Sequence, residues 1–307
     1  MIPLRPMAAV PDSKAPGIDH RNLSTSASLG RLLPILAALI CAASGTAGAQ
    51  SHQLVSVGDH RLDVVREGSG GPALVFESGL ADSLDEWLPM VRSMSEFTTA
   101  IAYSRSGFGR SEPGPSDHSV PHEVHDLHAL LHALPIKPPY ILVAHSYGNI
   151  ISRLYVSEYP QDIAGIVIVD GTHEQQVKRW GTIDSTYPTA FRTVFDSMAS
   201  HTPLGPRAAE IRETMKIQAA GTVPGLTPLP DIPMAIITSM RSNDSSQYVN
   251  DTKRGHELWR AMHDEWFHRS RNAIHIVTSR SGHDIAGDEP ALVEMAIRFV
   301  LDRVRSQ

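Results

Sequence analysis

A short apolar run, Tyr140-Ile141-Leu142-Val143, leads into Ala144-His145-Ser146-Tyr147-Gly148. Asn149 to Tyr159 follows, with Ile150, Ile151, Leu154 and Tyr155 at helical spacing. No other stretch narrows the possible folds as much, because a strand and a helix are joined here by a sharp turn with a serine at its tip. Bulk beside such a serine would strike neighbouring backbone, and the small residues Ala144 and Gly148, two places either side, meet that need. The turn lifts the Ser146 hydroxyl clear of a sheet and sets it at a helix N-terminus, where free N–H groups stabilise negative charge.

The flanking chain alternates strand-like and helix-like segments. Leu54-Val55-Ser56-Val57 and Leu62-Asp63-Val64-Val65 around Gly58-Asp59 read as a β-hairpin. Strands are expected at Ala73–Phe76, Thr99–Tyr103, Gly165–Asp170, Met234–Thr238 and Ala273–Thr278, and helices at His122–Leu134, Thr252–Arg269 and Glu289–Arg305. This alternation implies an α/β fold with a mostly parallel central sheet and helices on both faces. It stops after Asp170. Residues 171–230 carry helical pieces, prolines and scattered aromatics, and are too long for an idle loop. They are expected to form a helical lid over the C-terminal edge of the sheet, where open α/β sheets bind ligands.

The chain has 307 residues, 41% hydrophobic and 20% charged, enough for one large domain with a full core. A formal charge of −6 and the lack of any basic run argue against a nucleic-acid partner. The single cysteine, Cys41, lies in the apolar run Leu32–Ala43, with Arg31 before it and Ala47-Gly48-Ala49 after it. That pattern reads as a secretory signal within an N-terminal extension, residues 1–49, ahead of a single α/β domain at 50–307. At about a dozen residues the run is too short to span a bilayer comfortably. Cleavage before Gln50 would leave a secreted or periplasmic protein with no cysteine and no membrane anchor.

A serine hydroxyl is a poor nucleophile until a base takes its proton. His283, in Ser281-Gly282-His283 after the last expected strand, is the candidate base. A carboxylate must then fix the imidazole tautomer. Two satisfy the chain order serine, acid, histidine: Asp170, at a strand end, and Asp244, in the polar loop Arg241-Ser242-Asn243-Asp244. Asp170 is preferred because its strand end shares the sheet edge with Ser146; Asp251 is a remote third. Donors for an oxyanion are expected from the backbone N–H of Tyr147, directly after the serine, and from that of Leu80 in Ser78-Gly79-Leu80.

Taken together, Glu77-Ser78-Gly79-Leu80, Ser104-Arg105-Ser106-Gly107-Phe108-Gly109-Arg110-Ser111, Ala144-His145-Ser146-Tyr147-Gly148 and Ser281-Gly282-His283 resemble the α/β-hydrolase fold family, in its lid-bearing, esterase-like branch. The resemblance runs from about Gln53 to Arg305. It implies a Ser-His-acid triad, an acyl-enzyme intermediate, a small ester-like substrate, and no metal or organic cofactor. Two positions depart from the family pattern. Ser78-Gly79 replaces the usual His-Gly of the oxyanion loop, and no acid stands at the usual spacing after the strand near Thr238. Some members place the acid where Asp170 falls. A ligand-binding protein on the same scaffold and a cofactor-free perhydrolase are the alternatives.

Two further features draw attention. His122, His125, His128 and His132 recur at three- and four-residue steps on one expected helix, but Leu127, Leu130, Leu131 and Leu134 supply that helix with an ordinary core stripe. These histidines are therefore read as a solvated or half-buried face and no metal is assigned. Trp180, Phe191 and Phe195 are candidates either for an acyl pocket or for the internal packing of the lid.

Overall fold

The computed structural model describes residues 51–114, 118–202 and 205–307. The expected leader, with Cys41, lies outside them. The first strands, β1 (His52–Ser56) and β2 (Arg61–Glu67), form the hairpin read from the sequence. Next come β3 (Leu74–Glu77), α1 (Leu88–Met94), β4 (Ala100–Tyr103), α2 (Val120–Ala133), β5 (Tyr140–His145), α3 (Gly148–Glu158) and β6 (Ile163–Val169). The interrupting segment carries α4 (Gln176–Trp180), α5 (Tyr187–His201) and α6 (Pro206–Ala220). The chain closes with β7 (Met234–Ser239), α7 (Lys253–Phe267), β8 (Ala273–Thr278), α8 (Ile285–Asp288) and α9 (Pro290–Arg305). Among the described residues no helix is long and apolar enough to cross a membrane.

The eight strands form one sheet in the order β1-β2-β4-β3-β5-β6-β7-β8. The β1–β2 and β2–β4 pairs are antiparallel and the others parallel. Successive residues of a strand face opposite sides of the sheet, so a sheet covered on both faces needs apolar residues at every position. Here Leu142, Ile166, Ile168 and Ile236 join the core under α2 and α3. Their neighbours Ile141, Val143, Val167, Val169 and Ile237 join the core under α1 and α9. The unbroken apolar runs of these strands thus record two cores rather than one.

Parallel order also fixes where chemistry can occur. The connection from β4 returns past β3 to β5, so β3 and β5 are neighbours whose outgoing loops diverge, the crevice where open α/β sheets bind ligands. Glu77 pairs with Ala144, and His145 with Val169. Ser78-Gly79, Ser146 and Asp170 therefore leave the same edge side by side.

The segment expected as a lid is pinned from below. Arg105, after β4, and Glu210, on α6, are both buried and form an ion pair, Nε to Oε1 at 2.5 Å. The second guanidinium edge of Arg105 reaches Glu77 Oε1 at 2.7 Å and the carbonyls of Ser78 and Gly79 at 2.9 and 2.7 Å. The Ala81 N–H also donates to Glu210 Oε2, at 2.8 Å. Burial pushes the Glu77 carboxyl up to about 7 even with Arg105 beside it. Removing one partner of such a buried cluster strands the other's charge. Glu210→Ala is expected to lower unfolding free energy by about 3–5 kcal/mol, measured by urea denaturation. A loss below about 0.5 kcal/mol, the size of an ordinary surface change, would show that the pair does not hold the segment down.

Candidate active site

Ser146 sits between β5 and α3 with φ 51°, a left-handed backbone that side-chain-bearing residues rarely adopt. The strain is held by its surroundings. Ser146 N–H donates to the Val169 carbonyl at 3.2 Å, and its own carbonyl accepts from Thr172 at 2.9 Å and Asn149 at 3.1 Å. Gly148 is required by close approach, since a Cβ there would fall 2.6 Å from the Ser78 carbonyl oxygen. The elbow is thus pressed directly against the loop after β3.

Three distant parts of the chain meet at this point. The Ser146 hydroxyl donates to His283 Nε2 at 2.8 Å, and His283 Nδ1–H donates to Asp170 Oδ2 at 2.7 Å. Asp170, itself at φ 44°, is fixed through its other oxygen, which accepts from the Ser239 N–H at 3.0 Å and from Trp259 Nε1–H at 2.8 Å. Burial alone would raise the Asp170 carboxyl, but the hydrogen bond from His283 holds it well below the usual carboxylate range. Burial pushes the His283 imidazole below its ordinary value, so a neutral ring faces the serine at neutral pH.

The other acid candidates lie elsewhere. Asp244 Oδ1 accepts from the Lys253 N–H at 2.7 Å at the start of α7, and Asp251 Oδ2 accepts from the Ser246 hydroxyl at 2.8 Å. Both are occupied with local turn and helix-end structure rather than with His283.

The loop after β3 runs beside the serine: a Cβ built at Gly79 would stand 3.6 Å from Ser146 Cβ. Gly79 N–H is taken by Glu86 Oε2 at 3.0 Å, whereas among the described residues no acceptor takes the N–H of Leu80 or Tyr147. Those two donors remain available at the elbow.

His145, beside the serine, supports the elbow through two contacts. His145 Nε2–H donates to the His283 carbonyl at 3.0 Å, and its Nδ1 pairs with Glu86 Oε1. Burial disfavours a charged ring here, but the Glu86 carboxylate outweighs it and raises His145 to about 9. The buried Glu86–His145 pair therefore ties the Gly79 loop to the His283 loop. Glu86, Ser239 and Trp259 are additions to the residues expected from the sequence. Each acts through a long-range contact, which leaves no local pattern to read.

Trp180 stacks on Trp259 with ring centroids 5.2 Å apart, and its Nε1–H donates to the Gly255 carbonyl at 3.0 Å. With Val177, Tyr187, Val249 and Met262 these rings form a small third core between the interrupting segment and α7. Phe191 and Phe195 stack on each other at 4.1 Å. Trp180 therefore packs the segment's base, and the core it belongs to buttresses Trp259, a donor to Asp170.

Of the four histidines on α2, His122 and His125 lie 3.6 and 3.9 Å from Asp126, while His128 lies 3.7 Å from Asp162.

Comparison with known proteins agrees with this architecture. Residues 72–202 match a family model described as the alpha/beta hydrolase fold. The uncharacterized protein YqjL of Bacillus subtilis strain 168 is 24% identical over 232 residues, covering 76% of this chain and 84% of its own length. Among solved structures, an epoxide hydrolase mutant from Vigna radiata aligns with a TM-score of 0.63 at 17% identity, over 84% of this chain and 99% of its own. A putative lipase from Acinetobacter baumannii AYE aligns with a TM-score of 0.60 at 20% identity, over 84% and 93%. Identities this low speak for the fold alone: the chain has the α/β-hydrolase fold, and the family model matches residues 72–202 of it.

Proposed function

We propose that the protein is a serine hydrolase cleaving carboxylic esters or closely related acyl bonds through an acyl-enzyme. The observation that carries this reading is the continuous relay from Ser146 Oγ through His283 to Asp170, at 2.8 and 2.7 Å. In the first step His283 Nε2 takes the Ser146 proton as Oγ attacks the carbonyl carbon. The tetrahedral oxyanion is met by the N–H groups of Leu80 and Tyr147. Collapse breaks the acyl–oxygen bond, and His283 returns its proton to the leaving alcohol. Water then repeats the sequence on the acyl-serine, releasing the acid and restoring the Ser146 hydroxyl.

The fold is shared with an epoxide hydrolase as well as with a putative lipase, so the choice of reaction rests on the nucleophile. A serine alkoxide opening an epoxide would form an alkyl ether, with no carbonyl for water to attack and no oxyanion for the two N–H groups to hold. The same alkoxide on an acyl carbon forms an ester that water can cleave by the same route. The residues 51–307 protein is expected to turn over p-nitrophenyl esters of graded acyl length and to leave styrene oxide untouched. Multiple turnover of the epoxide without ester hydrolysis would overturn the reading.

A further inference from the structure

Away from Ser146, α2 carries a second group of side chains whose arrangement has no part in acyl transfer. His128 and His132, one helical turn apart, face Asp162 at the end of the short turn Pro160–Asp162 after α3. One ligand-type atom from each lies within 4.8 Å of the other two, and His128 Nδ1 is 3.7 Å from Asp162 Oδ2. Ligand atoms around a tetrahedral zinc ion stand roughly 3.4 Å apart, as bonds of about 2.0–2.1 Å require. The separations need only a small closing movement, which the exposed His132 is free to make.

Asp162 gives the group its direction. Its carboxylate is buried, yet among the described residues no lysine or arginine pairs with it, and its hydrogen bond from the Tyr155 hydroxyl is long, at 3.4 Å. A buried carboxylate so sparsely compensated favours a cation. The two rings before it are T-shaped with centroids 4.3 Å apart. A divalent ion can take the carboxylate and one nitrogen from each ring together. Burial, and then the His132 ring, already hold His128 below its ordinary value. His128 is also pre-set, stacked on Tyr159 at 3.8 Å and 6°. We propose that His128, His132 and Asp162 form a site for a first-row divalent cation such as Zn2+, joining α2 to the turn after α3 and leaving its remaining positions to water.

The test uses the chelator-treated full chain titrated with Zn2+ by calorimetry, with thermal unfolding measured alongside. One ion per chain is expected, with a rise in midpoint temperature. His132→Ala and Asp162→Asn should each weaken binding by about tenfold or more, and His125→Ala, on the same helix but facing Asp126, should not. Because His132 is exposed, its replacement should fold normally, which the unfolding midpoint without zinc verifies. Ser146→Ala should bind zinc as the wild type does, which separates this site from the ester chemistry. Failure to reach stoichiometric binding would overturn the proposal. So would binding that survives His132→Ala unchanged or that is lost in His283→Ala instead.

Discussion

Ser146→Ala is expected to lower kcat for a p-nitrophenyl ester by about six orders of magnitude and to abolish labelling by a fluorophosphonate. The size follows from the arrangement, because among the described residues the Ser146 hydroxyl is the nucleophile that His283 Nε2 engages, at 2.8 Å. Without Oγ the imidazole has no proton to take, and the N–H groups of Leu80 and Tyr147 have no tetrahedral adduct to stabilise beyond what water alone could form. The fold should be undisturbed, since alanine and serine meet the φ of 51° with the same Cβ and the three backbone hydrogen bonds at the elbow do not involve Oγ. A variant that kept ester turnover near the wild-type level would remove Ser146 from the chemistry and the proposed function with it.

Asp170→Asn should cost about 10⁴-fold in kcat, and the hydrogen bonds around Asp170 explain why an isosteric change would be so severe. The N–H groups of Ser239 and Trp259 both aim at Oδ1. An asparagine would satisfy them by placing its oxygen there, which turns its NH2 toward His283 Nδ1. That nitrogen must then accept, so the ring proton moves to Nε2, and Nε2 can no longer take a proton from Ser146. Asp244→Asn offers the matched control. Its oxygen can still accept from the Lys253 N–H, and kcat should stay within about twofold of wild type, as for a surface change far from the reacting atoms. Steady-state kinetics on both variants decides the matter. A larger loss in Asp244→Asn than in Asp170→Asn would reassign the acid.

Much of the architecture was legible in the chain because it is written in local periodicity. The apolar runs at Tyr140–Val143, Met234–Thr238 and Ala273–Thr278 are strands of nearly those bounds, and the hairpin turns at Gly58-Asp59 as its composition suggests. The serine elbow was readable for the same reason: small residues at two fixed offsets are a local steric requirement. The choice between Asp170 and Asp244 was different. Both satisfy the order of the chain, and what separates them is the register of β6 against β5 and β7, with His145 opposite Val169 and Ile237 opposite Val169 from the other side. Sheet register depends on packing across strands far apart in sequence, and one chain read alone carries little trace of it.

The row of histidines on α2 shows the same division. Their spacing places them on one helix whatever surrounds it, and the leucines between them rightly point to its core face. That spacing does not reveal that the row splits, with one pair turned toward Asp126 and the other toward a buried carboxylate thirty residues further on.

By itself the sequence determined the alternation of strand and helix, the elbow and its serine, and the loop that must carry the histidine, because each is set by residues within one turn or one strand of another. The tertiary structure alone decided which aspartate meets His283, that His145 and Glu86 bind two loops together, and that Arg105 anchors the interrupting helices through Glu210. These are pairings of buried charges and donors across dozens of residues, and their partners become neighbours only once the sheet order has closed the space between them.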